Sequence, residues 1–192
     1  MSVIQRLFIA AALVLSGLSL ASTQADARSG AIPVSSPATC TQTAADPALA
    51  QAVVDEINAY RASQGLRPVQ LEAQLTAAAM MHVADLARRS VLSHYGARGE
   101  TFVDRIEKVG YSGYARAENV GWNYATPAGI VRGWIESPSH RRNMELADVT
   151  EAGIGYVCDP ERGHFWALNL GTDNTRLVQR VSSRLARPAW RR

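Results

Sequence analysis

Trp134-Ile135-Glu136-Ser137-Pro138-Ser139-His140-Arg141-Arg142-Asn143 is the stretch on which the fold turns. Thr126-Pro127 offers a helix N-cap with proline at the first helical position, and Ile130, Val131 and Trp134 follow at helical spacing. That pattern predicts a helix through about Glu136. Ser137-Pro138-Ser139-His140 then breaks it, because proline disfavours helical backbone in the residue before it. A short helical turn is expected around Arg141–Leu146. Towards the C-terminus, Glu151–Val157 and His164–Gly171 read as two strands. Asp159-Pro160-Glu161-Arg162-Gly163 joins them as a hairpin turn. Towards the N-terminus, Glu118-Asn119-Val120-Gly121-Trp122 reads as a strand or its start.

Further upstream the periodicity becomes helical. Thr101 to Val109 is a short helix ending at Gly110, and Ser93-His94-Tyr95-Gly96 is a polar turn. Glu72 to Val91 is a longer helix with Leu75, Ala78, Ala79, His82, Val83 and Leu86 on its inner face. Its alanines permit close packing against a neighbour. Asp46-Pro47 caps a first helix over about 47–64, with Leu49, Val53, Ile57 and Tyr60 at helical spacing and Gly65 at its end. Arg67-Pro68-Val69 is a short extended connection. Helices come first and strands cluster late. The order predicts an α+β domain with helices packed on a small antiparallel sheet.

The ends of the chain carry different signals. Arg6, the apolar run Leu7–Leu20 and Ala25-Asp26-Ala27 form the pattern of a cleavable export signal over residues 1–27. The run is shorter than the roughly 20 residues a membrane span needs, and no later segment is apolar enough. Residues 28–45, rich in Ser, Thr, Pro and Ala, read as a linker to a domain over 46–173. An Arg-rich tail follows over 174–192. Export makes an extracellular or periplasmic location the expectation. In an oxidising compartment Cys40 and Cys158 can pair, the alternative being two independent thiols. Residues 28–175 carry 13 Arg and Lys against 16 Asp and Glu, a net of −3, whereas residues 176–192 carry six arginines and no acid. The basic character therefore belongs to the tail and argues against a nucleic-acid face on the domain. With Leu177, Val178, Val181 and Leu185 between its charges, the tail is either a basic amphipathic helix for an anionic envelope surface or a solvated tail.

No HExxH, Cys-His zinc knuckle, nucleophile elbow or phosphate loop is present. The four histidines are His82, His94, His140 and His164. His82, on an inner helix face, reads as a hydrogen-bonded core residue, and His164, beside a turn, as exposed. Ser139 beside His140 lacks an identifiable third group and is not read as a nucleophile. Asn119, Arg141 and Asn143 read as loop-holding residues. Trp122, Trp134 and Trp166 read as core or cleft wall.

One series of motifs goes further. Ser93-His94-Tyr95-Gly96, Asp104-Arg105, Gly110-Tyr111, Glu118-Asn119-Val120, the Trp134–Asn143 stretch and Gly153-Ile154-Gly155-Tyr156 occur in this order. Asn58-Ala59-Tyr60-Arg61 and Gly65-Leu66-Arg67-Pro68-Val69 precede them. The series resembles bacterial members of the CAP superfamily, the cysteine-rich secretory, antigen 5 and pathogenesis-related proteins, over roughly residues 50–171. The resemblance implies a three-layer α-β-α sandwich whose cleft gathers two histidines and two acids. His94 and His140 match the histidines and Glu118 the first acid. The fourth place falls to Glu136 or Asp104, with Glu136 preferred.

Two imidazoles suit Zn²⁺ or another divalent cation, with His94 and His140 as the ligands. A carboxylate such as Glu118 can instead fix a histidine tautomer. The resemblance implies a non-enzymatic binding protein whose cleft takes a small molecule, lipid, glycan or peptide. The alternative is a metal-dependent hydrolase, peptidase or cell-wall acting, with Glu118 as general base. A third reading is an envelope structural protein docked by its tail.

Overall fold

The computed structural model describes residues 31–34, Ala38, Cys40 and residues 46–173. The expected export signal and the Arg-rich tail lie outside the described residues. The elements are β1 (Ile32–Pro33), α1 (Pro47–Ser63), β2 (Gln70–Leu71), α2 (Ala73–Arg89), β3 (Val91–Leu92), α3 (Phe102–Lys108), β4 (Tyr114–Trp122), α4 (Pro127–Glu136), α5 (Pro138–Met144), β5 (Glu151–Asp159) and β6 (Gly163–Thr172).

Local chemistry sets most boundaries. Asp46 caps α1 by accepting from the Ala48 amide, with Pro47 in the first turn. Thr126 caps α4 in the same way through Gly129. Thr101 and Asp104 form a reciprocal capping box on α3. The helix α2 stops two residues earlier than its apolar pattern predicts. Ser90 turns left-handed at φ 53°, and Val91-Leu92 leave to pair with Ile32-Pro33.

Four strands form one sheet in the order β2-β5-β6-β4. The pairs β5–β6 and β4–β6 are antiparallel, but β2 runs parallel to β5. The sheet is thus mixed, not purely antiparallel as expected. A two-residue strand is too short to leave a period-2 signal, and Arg67–Val69 merely leads into it. The strand β4 also begins four residues before the expected Glu118, and a bulge between Ala115 and Ala117 interrupts its alternation.

The layers follow from alternation along β6. Trp166, Leu168 and Leu170 join Val53 and Ile57 of α1, Ile130 and Trp134 of α4 and Met144 of α5 in one core. Phe165 and Ala167 face Ala79, Val83 and Leu86 of α2 in another. These are the three layers of an α-β-α sandwich. Gly153 and Gly155 let α2 lie directly on the sheet. A Cβ at Gly153 would fall 2.0 Å from the backbone of Leu75, and one at Gly155 would fall 2.4 Å from that of Ala79. The alanines of α2 and the glycines of β5 are two halves of one close contact.

Cys40 is bonded to Cys158 with a Cα–Cα distance of 5.6 Å. The bond closes a segment of 118 residues, for which the chain-entropy model allows about 4–5 kcal/mol. Together with the β1–β3 pairing and buried Val34, it pins parts of the stretch read as a linker onto the domain. His164, expected at the surface, is only 6% exposed. Its place opposite Cys158 puts it in phase with Trp166, and its Nδ1 lies 2.8 Å from Tyr156 Oη.

Candidate functional site

The strand β4 is an edge of the sheet, and its unpaired side is where the expected site residues meet. Alternation sends adjacent residues to opposite faces. Val120 of β4 packs in the α2 core and Ala117 in the α1/α4 core. Glu118 accordingly faces α2 and α3, while Asn119 faces α5.

Glu118 is buried, and both of its carboxylate oxygens have side-chain partners. Arg105 Nη2 of α3 donates to Oε2 at 2.6 Å. His94 Nδ1, in the loop after β3, lies 2.9 Å from Oε1. His82 Nε2 of α2 is 3.8 Å from the same oxygen. A carboxylate only accepts, so His94 Nδ1 carries a proton, and in the neutral tautomer that this contact selects, the bare nitrogen is Nε2. The His94 side chain is about half exposed. Arg105 also donates to the carbonyls of His94 and Glu100 and so fixes the loop that carries His94.

His82 is fully buried. Its Nε2 lies 2.8 Å from the Ser93 carbonyl, so Nε2 is protonated and Nδ1 is bare. Burial lowers its pKa to about 4 against the attraction of Glu118, and the ring is neutral at pH 7. The core reading of His82 matches this geometry. Its second position, against Glu118, is a relation that helix periodicity has no means to reveal.

On the other face, Asn119 Nδ2 donates to the His140 carbonyl at 3.0 Å. Asn143 Nδ2 donates to Asn119 Oδ1 at 2.8 Å and to the Glu118 carbonyl at 3.3 Å. These amides clamp α5 onto the edge of β4 and satisfy backbone that no further strand pairs. The loop-holding role expected of Asn119 and Asn143 is the one they fill. The break at Ser137-Pro138 starts α5 there, three residues before the expected turn. Pro138 takes the first helical turn, where its missing N–H costs nothing. His140 thereby lies in the first turn of α5. It is half-buried, and burial, together with the His94 ring, lowers its pKa.

Neither expected fourth acid joins this group. Glu136, the last residue of α4, is exposed. The carboxylate of Asp104 is engaged by Thr101 at the start of α3. A cleft of about 480 Å³ opens beside the cluster, lined by His94, Tyr95, Thr101, Phe102, Arg116, Ala117, Glu118 and Asn143. Glu136 and His140 are not in that lining. Trp134 and Trp166 are buried in the core, and Trp122 Nε1 donates to the Arg162 carbonyl, so the tryptophans hold the fold. Arg105 and Arg116 escaped the sequence reading as site residues. Arg105 was visible only as part of the Asp104-Arg105 motif.

The family model for the cysteine-rich secretory protein family (CAP) matches residues 54–170. The chain belongs to the CAP family. Among its relatives, the uncharacterized protein YkwD of Bacillus subtilis is 31% identical over 114 residues, covering 59% of this chain and 43% of that protein. The uncharacterized membrane protein YlbC of the same organism is 28% identical over 104 residues, 54% of this chain and 30% of the other. The chain thus spans less than half the length of these curated relatives. Two solved structures share the CAP fold. One is an extracellular protein containing an SCP domain from Bacillus anthracis, with TM-score 0.60 and 23% identity over 67% of this chain and 41% of that one. The other is an outer surface protein from Borrelia burgdorferi, with TM-score 0.59 and 19% identity over 65% and 92%.

Proposed function

We propose that this CAP domain is an exported binding protein that takes a small-molecule, lipid, glycan or peptide ligand in the cleft beside β4, without catalysing its turnover. The observation that carries this reading is the engagement of Glu118. Both of its oxygens are held, by Arg105 and by His94. A general base needs a lone pair facing its substrate or water, whereas each Glu118 oxygen already accepts from a side chain and the Glu118 side chain is only 1% exposed. It acts instead as the partner that orients His94 and leaves Nε2 to accept from a ligand.

The same donors are a poor fit for a resident metal. Catalytic zinc sites use three protein ligands and structural sites four. Among the described residues no group of three or more His, Cys, Asp or Glu side chains is arranged to hold a metal ion. His94 and His140 would be the two imidazoles. Neither Glu136 nor Asp104 reaches them as a third donor. For these reasons binding is preferred to metal-assisted hydrolysis.

Export is supported by the disulfide, since such bonds persist in oxidising compartments, and by the N-terminal pattern of residues 1–27. The related extracellular and outer surface proteins point the same way. No helix among the described residues is long and apolar enough to cross a membrane. Attachment to an anionic surface is proposed for the Arg-rich tail.

The test is a His94→Ala, His140→Ala double variant beside the unaltered protein, on panels of peptides and muropeptides with and without Zn²⁺. The expected result is no turnover by either protein and weaker ligand retention by the variant. Turnover that the double variant abolishes would overturn the reading in favour of the hydrolase.

A further inference from the structure

The charges of the cleft do not balance. His94, Arg116 and Glu118 are its charged or readily charged lining residues. The Glu118 charge is already matched by Arg105 at 2.6 Å. That leaves the Arg116 guanidinium, whose charge no other residue of the lining matches.

Arg116 owes its place to the bulge in β4. Ala115 is opposite Gly171 and Ala117 opposite Leu170, so Arg116 is the extra residue with no partner on β6. Bulges of this kind re-aim a side chain. Among the described residues Arg116 pairs with Asp148, at 2.5 Å, and the two side chains are 38% and 46% exposed. A pair so exposed contributes little and exchanges readily for another anion. Alongside stand two aromatic residues of the lining, Tyr95 and Phe102. Tyr95 is 44% exposed.

We infer that Arg116 is an anion-recognition subsite of the cleft, selecting ligands that carry a carboxylate beside a ring or apolar group. The inference rests on the cleft-binding reading above. The planar guanidinium matches a carboxylate fork to fork, and Tyr95 and Phe102 give the adjoining ring or apolar group a surface. Such a carboxylate occurs at the free end of a peptide or on an acidic sugar.

Two pairs of probes separate these sources, each read by the chemical shifts of cleft residues in the disulfide-bonded protein. N-acetyl-phenylalanine is compared with its primary amide, and glucuronic acid with glucose. The acid of at least one pair is expected to bind about tenfold or more tightly than its neutral counterpart, and that pair identifies the source. Arg116→Gln should bring the acid down to the neutral probe and leave the neutral probe unchanged. Arg116→Lys should keep part of the preference, and Asp148→Asn should strengthen acid binding severalfold by removing the competing carboxylate. Equal binding of acid and neutral probes, or a preference that survives in Arg116→Gln, overturns the subsite and leaves cleft binding standing. No shift with any probe at millimolar concentration overturns both.

Discussion

Glu118 and Asn119 are adjacent on β4, yet they hold the two sides of the site by different chemistry. On the α2/α3 face a buried carboxylate gathers Arg105, His94 and neutral His82. On the α5 face two carboxamides share hydrogen bonds with one another and with the backbone of β4 and α5. The period of two along a strand makes this division possible. One dipeptide anchors both layers of the sandwich at the sheet edge, Glu118 holding the ring of His94 and Asn119 the backbone of His140. The difference lies in what happens when an anchor is lost. A lost carboxylate strands a buried cation, whereas a lost amide leaves neutral groups that water can satisfy.

Glu118→Ala should therefore have the largest effect. Breaking a buried pair from one side costs about 3–5 kcal/mol, and denaturant unfolding should report a loss of that size. His94 should at the same time lose its fixed tautomer, visible in the nitrogen shifts of its ring. If Glu118→Ala costs no more than Asn119→Ala, the comparison fails.

Acid should act on the charged face next. His82 has a folded pKa of about 4, below the unfolded value near 6.5. The unfolded state therefore binds the proton first as pH falls. The contribution of neutral His82 is fully present above about pH 6.5 and is lost as pH falls towards about 4, amounting to about 3 kcal/mol across that window. His140 and His164, also lowered by burial, add to the same sign. Unfolding free energies measured from pH 7.5 to pH 4.5 should fall for the native chain and fall less steeply for His82→Gln. Parallel slopes would remove His82 from the account.

Asn119→Ala should be the mildest, at about 1–3 kcal/mol for the hydrogen-bonding partners it leaves. Its distinguishing mark is spatial. Amide exchange should quicken along α5 and leave α3 unchanged. Faster exchange in α3 would mean that the two faces are not separable.

Much of this molecule follows from its sequence. Helix caps at Asp46, Thr101 and Thr126 are local interactions between residues two or three apart, so their signals sit within a few positions. The motif series from Asn58 to Tyr156 was enough to indicate the CAP family and to single out His94, Glu118 and His140. The alanines of α2 announced a close approach, although not that Gly153 and Gly155 would receive it. Pairings across the chain were beyond such reading. The parallel β2 is two residues long and defined only by its neighbour. His164 is buried through strand register, a property of two strands together.

The site divides in the same way. Its opening stretch, Trp134 to Asn143, contains in Ser137-Pro138 the reason a helix ends and another begins, and so the placement of His140 in a first turn. Glu136, two residues before that proline, was the preferred candidate for the fourth place in the cleft and is exposed at the end of α4. Which charges surround Glu118 was decided by tertiary structure alone. Arg105, His94 and His82 come from three separate segments, and an ion pair between segments leaves no periodicity in any of them. The sequence by itself determined the family, the helices and the two long C-terminal strands. Only the packing of α2, α3 and α5 around the sheet edge at β4 brought Arg105 and His94 to the two oxygens of Glu118, because contacts between distant segments depend on how the layers stack.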